Sequence, residues 1–358
     1  MKITLFTSPA DLSGRIDTSS SQILRQALND APTDALPIIL DFQNVSYISS
    51  SGLRELLIAR KRLGKNALLL SGVNTEVEEI LQTTGFSELL NYTAADSQKD
   101  TSSMSFRNLL AYNVLHFPDK SVLKSRGIVY TWADIDHGAS VIASELYALG
   151  VRKRTHAAIC GTNSVNWILT FWALQKLGAV AVLVNPALTA EEIIKLAHTG
   201  DIEFFCYGKM PAMSEPESFL AEIMSRSQIR GAFDIRDSVD FLGRNAVNAP
   251  ETGEVMPDDV CVMIFTSGST GSPKGVLHSA YSLCKIQVMC TKITHINEND
   301  IDCMMMSMFH IAGMMNTVIE AALFGALIIL PESIKPEYLL KLIHEENVLS
   351  STPYLLCY

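Results

Sequence analysis

The spacing of apolar residues along the first 93 positions alternates between the periods of strands and helices. Short apolar runs that predict strands occupy residues 3–6, 10–16, 38–42 and 67–70. Apolar residues at helical spacing predict helices over residues 20–31 and 53–63 and a last helix that begins near Val77. This pattern predicts a compact α/β domain in which helices pack on a sheet.

A second, larger segment repeats this alternation after a polar stretch over residues 94–103 that lacks apolar periodicity. Helices are predicted over residues 135–149, 165–177 and 191–198, and strands over 155–160, 180–184, 204–207 and 260–265. Strands that are joined through helices form parallel or mixed sheets with crossover helices. We therefore expect a domain over residues 1–93, a linker over 94–105 and a second domain over 106–358.

The composition narrows the classes of protein to which the chain can belong. Apolar residues make up 48% and charged residues 18% of the 358 positions, so both domains can fill a core and extensive disorder is not expected. The formal net charge of −10 argues against a general nucleic-acid or membrane-surface binder, because such proteins present a basic face.

The cysteines and the longest apolar runs show which further structural features to expect. The seven cysteines include no Cys-x-x-Cys pair, so neither a disulfide framework nor a metal site is indicated, and reduced thiols in a cytoplasmic protein are expected. Two apolar stretches, over residues 167–184 and 317–330, are broken by polar residues and glycine, and fall short of the ~20 residues that a spanning helix needs. We predict that each forms a buried helix followed by a buried strand, with no membrane span.

The strongest candidate for chemistry is a loop rich in glycine and hydroxyl groups, directly behind the strand predicted over residues 260–265. Its residues are Thr266, Ser267, Gly268, Ser269, Thr270, Gly271, Ser272, Pro273, Lys274 and Gly275. The glycines allow positive φ and close approach of an anion, the hydroxyls can donate to phosphate oxygens, and Lys274 adds a compact positive charge. The loop therefore predicts a phosphate-binding site.

This loop is not a Walker P-loop, in which the lysine follows a glycine and the chain enters a helix. Here Lys274 follows Pro273, and Pro273 disfavours helical geometry at Ser272, so we expect no helix to begin at this point. A flexible Ser/Gly linker is the alternative. It fits poorly, because a linker would not sit directly behind a buried strand and end in Pro-Lys-Gly-Val.

Three further blocks accompany this loop in the second segment. They are residues 130–134 (YTWAD), 163–167 with 173–180 (NSVNW and ALQKLGAV), and 308–313 (MFHIAG). Together with the loop they resemble the signature of the AMP-forming acyl-CoA synthetase, luciferase and peptide-synthetase adenylation superfamily, and the resemblance covers residues 106–358. It implies an incomplete adenylation-enzyme N-terminal α/β domain with crossover helices on mainly parallel sheets.

The resemblance also implies a two-step reaction on a carboxylic acid. The carboxylate attacks the α-phosphate of Mg-ATP to give an acyl-adenylate and pyrophosphate, and a thiol, often coenzyme A, then takes the acyl group. The implied cofactors are ATP, Mg²⁺ and CoA, and the implied phosphate-binding residues are Thr266, Ser267, Gly268, Ser269, Thr270, Gly271 and Lys274. Catalytic roles are implied for Lys274 and for His310, the latter near the carboxylate and the α-phosphate.

The matching part of the superfamily is followed there by several functional segments. These are the adenine-binding segment, an acidic metal ligand, a ribose-binding aspartate, a hinge, and a C-terminal domain with a catalytic lysine. None has a counterpart before Tyr358. The resemblance therefore implies that these 358 residues are a fragment that lacks full adenylation activity.

A serine cluster in the first segment lies between a predicted strand and an amphipathic helix. It reads Ser49-Ser50-Ser51-Gly52-Leu53. A helix N-terminus favours a phosphate group, but Ser50 or Ser51 can equally serve only as the N-cap of the helix. With residues 12–17 (LSGRID), the cluster resembles a STAS domain, the anti-sigma-factor antagonist fold, over residues 1–93. The resemblance implies a regulatory phosphosite at Ser50 and a protein partner.

We therefore expect a small STAS-type regulatory domain fused to part of an ATP-dependent, carboxylate-activating ligase. Two alternatives stay open. One is a non-catalytic regulatory protein that combines a STAS switch with a degenerate adenylation core. The other is a luciferase-like oxidase on the same fold. The sequence leaves the identity of the carboxylic acid and of the acyl acceptor undetermined.

Overall fold

The computed structural model divides the chain into two compact units, Met1–Lys99 (unit 1) and Asp100–Tyr358 (unit 2). Each unit is an α/β structure. The structure describes residues 3–6, 8–30, 38–64, 68–94, 104–211, 213, 215–245, 247–250, 252–266, 273–294, 296–346 and 348.

The described residues of unit 1 form a five-stranded sheet with three α-helices. Its elements are β1 (Ile3–Phe6), β2 (Ser8–Ile16), α1 (Ser21–Asp30), β3 (Ile38–Ile48), α2 (Ser50–Leu63), β4 (Leu68–Val73), α3 (Thr75–Thr83), a 3-10 turn (Phe86–Glu88) and β5 (Asn91–Ala94). The strand order is β1-β2-β3-β4-β5, with β1 antiparallel to β2 and the remaining pairs parallel. The alternation of strands and helices predicted from the sequence is confirmed.

The third predicted strand of unit 1 is longer than its apolar run. The run predicts a strand over residues 38–42, but β3 continues to Ile48. Val45 and Ile48 are buried in the core of the unit, and β3 pairs with β2 along this stretch. Burial on one face and ladder hydrogen bonds to a neighbour therefore outweigh the low strand propensity of the intervening polar residues.

Where the structure describes it, unit 2 contains two sheets and most of the helices. Its elements are α4 (Phe106–His116), β6 (Ser121–Ser125), β7 (Ile128–Thr131), α5 (Trp132–Leu149), β8 (His156–Cys160), α6 (Val165–Leu177), β9 (Val180–Val184), α7 (Ala190–Thr199), β10 (Phe204–Tyr207), α8 (Pro216–Ser225), β11 (Gly231–Asp234), β12 (Val260–Thr266), β13 (Lys274–Ser279), α9 (Ala280–Thr294), β14 (Ile301–Cys303), α10 (Ile311–Gly313), a π-helical segment (Met314–Ile319), α11 (Glu320–Phe324), β15 (Leu327–Leu330) and α12 (Pro336–Glu345).

The larger sheet of unit 2 has six strands in the order β11-β10-β8-β9-β12-β13. All neighbouring strands are parallel except β13, which runs antiparallel to β12 at one edge. The second sheet has the order β14-β15-β6-β7 and is parallel except for the β6–β7 pair. This confirms the predicted α/β class, with crossover helices on mainly parallel sheets.

The two apolar stretches that could suggest membrane spans are helix–strand pairs in the core of unit 2. The stretch over residues 167–184 covers most of α6 and all of β9, and the stretch over residues 317–330 ends in β15. Glycines end both helices in the left-handed conformation, Gly178 at φ 66° and Gly325 at φ 80°. Among the described residues, no helix is long and apolar enough to cross a membrane.

The core of unit 2 is built around an aromatic cluster. Trp167, Phe171 and Trp172 of α6 are fully buried, and Phe106 of α4 packs edge-on against Phe171 and Trp172. Six cysteines fall within the described residues; five are buried, Cys290 is exposed, and none is paired. All three tryptophans of the chain lie in unit 2, so tryptophan fluorescence reports on the unfolding of this unit alone.

Candidate functional site

The predicted phosphate loop connects two antiparallel strands at the edge of the six-stranded sheet. Thr266 ends β12, Lys274 begins β13, and the two residues pair across the hairpin. Both are exposed. A strand, not a helix, begins at Lys274, as the position of Pro273 predicts. Five further predicted phosphate ligands lie outside the described residues: Ser267, Gly268, Ser269, Thr270 and Gly271.

The position of this hairpin in the sheet matters for ligand binding. Because β8, β9, β10 and β12 are parallel, their carboxyl ends lie along one edge. Ligands of open α/β sheets bind in the crevice outside this edge. Thr266 lies at the carboxyl end of β12, and residues 161–163 follow the carboxyl end of β8. The loop therefore leaves the sheet on its ligand-binding edge.

His310 lies between β14 and the helical segment that starts at Ile311. It is exposed and occupies the N-cap position of α10, and the centroid of its ring lies 4.3 Å from that of Phe309, with the two ring planes tilted by 39°. Its backbone N–H donates to the carbonyl oxygen of Ser307 at 3.1 Å, which closes a turn. A Cβ on Gly313 would stand 2.2 Å from that same carbonyl oxygen, so only glycine allows the turn to pack against the helix start.

Asn163 joins the His310 segment to the six-stranded sheet. Its side-chain Nδ2 donates to the carbonyl oxygen of Met306 at 2.8 Å, and its Oδ1 accepts from the N–H of Met308 at 2.9 Å. Asn163 follows β8 at the carboxyl edge, so the segment that carries His310 is bound to the edge where the phosphate loop emerges. The sequence identified Asn163 only as part of a block. Its one local signal is an asparagine between a buried strand and the α6 N-cap Ser164.

A cavity of about 760 Å³ opens beside this junction. Its apolar lining includes Ile128, Tyr130, Phe241, Leu242, Met304, Met305 and Phe309. Its charged lining comprises Arg126, Lys209, Asp237, Asp240, Glu332 and Lys335. Met304, Met308, Met314 and Met315 are buried in the core of unit 2, and Met304 and Met305 line this cavity.

Two acidic side chains are buried on the elements that flank His310. Asp302 of β14 is 2% exposed and Glu320 of α11 is 3% exposed. Glu320 accepts a hydrogen bond from Gln287 at 2.6 Å, whereas among the described residues neither carboxylate oxygen of Asp302 has a partner at hydrogen-bonding geometry. Burial raises the pKa of Asp302 to about 7. Burial, together with the charge of Asp302, raises the pKa of Glu320 to about 8. The sequence analysis missed this pair, because nothing local marks either residue as buried.

In unit 1, the structure assigns the helix cap to a serine other than the predicted ones. Helix α2 begins at Ser50, and its N-cap is Ser49, whose Oγ accepts from the N–H of Gly52 at 3.4 Å. Ser49 Oγ also lies 2.7 Å from Ser51 Oγ. Ser50 is exposed, and the described residues include no hydrogen-bond partner for its hydroxyl. The prediction that Ser50 or Ser51 is the cap is therefore wrong.

Ser50 opens onto a groove of about 690 Å³ between α1 and α2. Arg25 and Arg54 line this groove together with Ser50 and Ser51. At its far end Arg62 donates to Asn29 and to the carbonyl oxygen of Leu28, which ties the two helices together. The groove thus combines a helix N-terminus, two guanidinium groups, the carboxylate of Glu55 and an exposed hydroxyl.

Comparison with known proteins places each unit with a described family. Residues 110–356 match the AMP-binding enzyme family, and residues 10–99 match the STAS domain. The long-chain-fatty-acid–CoA ligase FadD13 of Mycobacterium tuberculosis is 28% identical over 63% of this chain and 44% of its own length. The 2-succinylbenzoate–CoA ligase of Oceanobacillus iheyensis is 25% identical over 62% of this chain and 43% of its own length.

Solved structures agree in fold. The inhibitor-bound N-terminal domain of FACL13 from M. tuberculosis has a TM-score of 0.60 at 26% identity, over 68% of this chain and 61% of that one. An o-succinylbenzoate coenzyme A synthetase from Bacillus subtilis, in complex with AMP, has a TM-score of 0.58 at 23% identity, over 67% and 60%. The chain spans about half the length of the curated relatives it matches.

Proposed function

Because this chain belongs to the AMP-binding enzyme family, we propose that unit 2 serves in the ATP-dependent activation of a carboxylic acid. One observation carries the proposal. Two features lie at the carboxyl edge of the six-stranded sheet. One is the strand pair that ends at Thr266 and begins again at Lys274, and the other is the segment that bears His310, which Asn163 binds to this edge. A phosphate-binding loop and a histidine at one ligand-binding edge suit a reaction between a carboxylate and a nucleoside triphosphate.

The proposed reaction has two steps. A carboxylate oxygen of the acid attacks the α-phosphorus of ATP, the bond from that phosphorus to the bridging oxygen of the β-phosphate breaks, and pyrophosphate leaves. The thiol of CoA then attacks the carbonyl carbon of the acyl-adenylate and loses its proton, and AMP departs. Both steps depend on preorganised stabilisation of phosphate charge.

The donor set of the hairpin fits a polyphosphate. We assign the binding of the β- and γ-phosphates to the hydroxyl side chains, glycine backbone and lysine of this loop: Thr266, Ser267, Gly268, Ser269, Thr270, Gly271 and Lys274. Thr266 and Lys274 support this, because both are exposed at the mouth of the hairpin. Mg²⁺ binds in such sites mainly through the phosphates, and it would neutralise part of their charge.

His310 is assigned a place beside the carboxylate and the α-phosphate. Its exposure and its position at a helix N-terminus support this role, since free N–H groups there favour an anion. We assign the acyl acceptor to CoA because the relatives named above are CoA ligases.

We assign a regulatory role to the STAS domain, with Ser50 as its phosphosite and a protein as its partner. Ser50 is exposed, does not cap α2, and faces a groove with Arg25 and Arg54. Domain limits of 1–93 and 106–358 around a linker, and a cytoplasmic location, are parts of the same proposal. Unpaired thiols at the six described cysteines support that location.

Pyrophosphate exchange tests the proposal. The chain is given ATP, labelled pyrophosphate and a panel of carboxylic acids, and label entering ATP is measured. Lys274→Ala and Thr270→Ala should each lower exchange and ATP affinity about 10- to 100-fold, because each removes a hydrogen bond to a charged group. Lys285→Ala removes the same charge from the exposed face of α9 and should change neither. Wild-type behaviour of both loop variants would refute the assignment.

The sequence-based expectation that these 358 residues lack full adenylation activity stays a prediction, and the same assay decides it. Equilibrium binding of ATP is measured in parallel. If the wild type binds ATP without catalysing exchange, and Lys274→Ala loses ATP binding, the chain has a phosphate site but does not complete the reaction. Steady exchange by the wild type would contradict the expectation.

A further inference from the structure

Asn163 presents one side-chain amide to two backbone groups that are distant in the sequence. Nδ2 donates to Met306 at 2.8 Å and Oδ1 accepts from Met308 at 2.9 Å. Asparagine carries a donor and an acceptor on one rigid plane, whereas aspartate at neutral pH can only accept. Two bonds from one plane fix the orientation of the bound backbone as well as its distance.

The two bonds end two residues before His310. After Met308 the chain turns through the bond from His310 N–H to the Ser307 carbonyl and enters the helix at Ile311. Gly313 holds the Ser307 carbonyl against that helix. His310 therefore sits between two anchors, Asn163 on one side and the helix start on the other.

The side chain of His310 adds little positional restraint of its own. Its ring contacts Phe309, and the described residues include no hydrogen-bond partner for either ring nitrogen. Its direction consequently depends on the backbone of residues 306–310. A shift of the backbone by 1 Å at a reacting group can cost about 100-fold in rate.

The location of Asn163 makes this restraint relevant to the proposed chemistry. Asn163 follows β8, and Thr266 ends β12, with β9 as the single strand between them. Neighbouring strands are about 4.8 Å apart, so the two carboxyl ends are separated by roughly 10 Å along the edge. Asn163 thereby holds the His310 segment within a nucleotide's length of the phosphate loop.

We propose that Asn163 is a positioning residue, which holds His310 in the place that carboxylate activation requires. This inference rests on the proposed function for its consequence in catalysis, but the restraint itself can be measured without turnover. It adds to the block over residues 163–167 a role that the sequence resemblance did not assign.

Asn166 offers a matched control three residues away. Its Nδ2 donates to the carbonyl oxygens of Arg236 and Val239, both at 2.9 Å, and neither belongs to the His310 segment. Asn163→Ala and Asn166→Ala each remove two hydrogen bonds from one side-chain amide to the backbone. We expect both variants to lower the melting temperature of unit 2 by a similar amount, as measured by tryptophan fluorescence.

Hydrogen–deuterium exchange of the full chain tests the restraint. In Asn163→Ala the amide of Met308 should exchange roughly two- to tenfold faster, because it loses its acceptor. Asn166→Ala should leave peptides over residues 304–310 unchanged. Unchanged exchange in Asn163→Ala, or equal changes in both variants, would overturn the proposal.

Pyrophosphate exchange tests the consequence. Asn163→Ala should lower kcat about 10- to 100-fold with the KM for ATP within about threefold of wild type, because position is altered and phosphate binding is not. Asn166→Ala should keep both parameters. Faster amide exchange together with a wild-type kcat would overturn the positioning role.

One further variant, and the result for the wild type, separate a failure of this inference from a failure of the proposed function. Asn163→Asp keeps the acceptor for Met308 but loses the donor to Met306, so the Met308 amide should stay protected while kcat falls; this variant also serves if Asn163→Ala does not fold. A wild-type kcat in Asn163→Asp would count against the proposal. If the wild-type chain shows no exchange with any acid, as expected for a chain that does not complete the reaction, amide exchange alone decides whether Asn163 holds the segment, and ATP binding to Lys274→Ala tests the proposed function separately.

Discussion

The Oγ atom of Ser49 accepts a hydrogen bond from the backbone N–H of Gly52, so Ser49 is the residue that caps α2. The first turn of this helix lies close to the sheet. A Cβ on Gly52 would stand 2.6 Å from Ile16 Cγ2 and 2.9 Å from Ile48 Cγ1. The Ser-Ser-Gly-Leu stretch is thus built for a helix start pressed against the strand ends, with its first serine, Ser50, left exposed.

Because Ser49 caps α2 and Ser50 does not, alanine substitutions at the two positions should have unequal effects. Ser49→Ala should cost about 1 kcal/mol of stability through loss of the cap, whereas Ser50→Ala should be close to neutral. Amide exchange over the first turn of α2 measures the difference, with an expected increase of about fivefold for Ser49→Ala alone. A larger effect of Ser50→Ala would restore the cap to Ser50.

A negative charge at Ser50 should be tolerated by the fold. Ser50→Asp places an acid in the first turn of α2, where the helix dipole favours it by about 0.3–1 kcal/mol, and Arg25 and Arg54 line the adjoining groove. We expect unchanged or slower amide exchange in α2. Mass spectrometry of protein from its native cell, with fragmentation that separates Ser49, Ser50 and Ser51, tests phosphorylation. Phosphate on another serine of the cluster would refute the assignment.

The buried pair of Asp302 and Glu320 predicts that unit 2 loses stability as pH rises. Both carboxyls have folded-state pKa values above their ordinary values, about 7 for Asp302 and about 8 for Glu320. Between pH 4 and pH 8 the folded state therefore holds protons that the unfolded state has released. The contribution of these two carboxyls to the free energy of unfolding is therefore largest below pH 4. It decreases as pH rises and is lost once pH has passed the two folded-state pKa values.

Urea unfolding followed by tryptophan fluorescence at pH 5, 6, 7 and 8 measures this slope. The wild type should lose on the order of 2–5 kcal/mol across the range, and Asp302→Asn should lose markedly less. Other acids and thiols face the pair, namely Asp300 and Cys303. Glu332→Gln, an exposed control in the same unit, should keep the wild-type slope. An unchanged slope in Asp302→Asn would show that the pair does not titrate in this way.

Gly313 should not tolerate a side chain. Its Cβ would lie 2.2 Å from the carbonyl oxygen of Ser307, and backbone atoms cannot yield as a flexible side chain does. Gly313→Ala should cost about 1–3 kcal/mol through this overlap, seen as a lower melting temperature by tryptophan fluorescence. In Gly275→Ala the new Cβ would meet side chains and not backbone, Met263 at 3.0 Å and Phe265 at 3.6 Å, so this change should cost less. Equal melting temperatures for the two variants would contradict this packing.

The sequence by itself determined the elements whose signals are local. Helix α6 and strand β9 agree residue for residue with the prediction, because a serine cap, an apolar run and a terminal glycine all lie within one segment. The site blocks were equally local, so the phosphate loop was found together with the proline that prevents a helix at Lys274. Fold class followed, since alternating strands and helices admit few layered arrangements.

Tertiary structure decided the features that depend on distant parts of the chain. Strand β3 extends past its apolar run because β2 supplies hydrogen-bond partners, and Ser49 becomes the cap because the strand runs that far. The bonds of Asn163 reach across more than 140 residues, and Asp302 comes near enough to raise the pKa of Glu320 only when unit 2 folds. Such contacts leave no periodic or compositional trace, because each rests on one side chain whose partner is chosen by the fold.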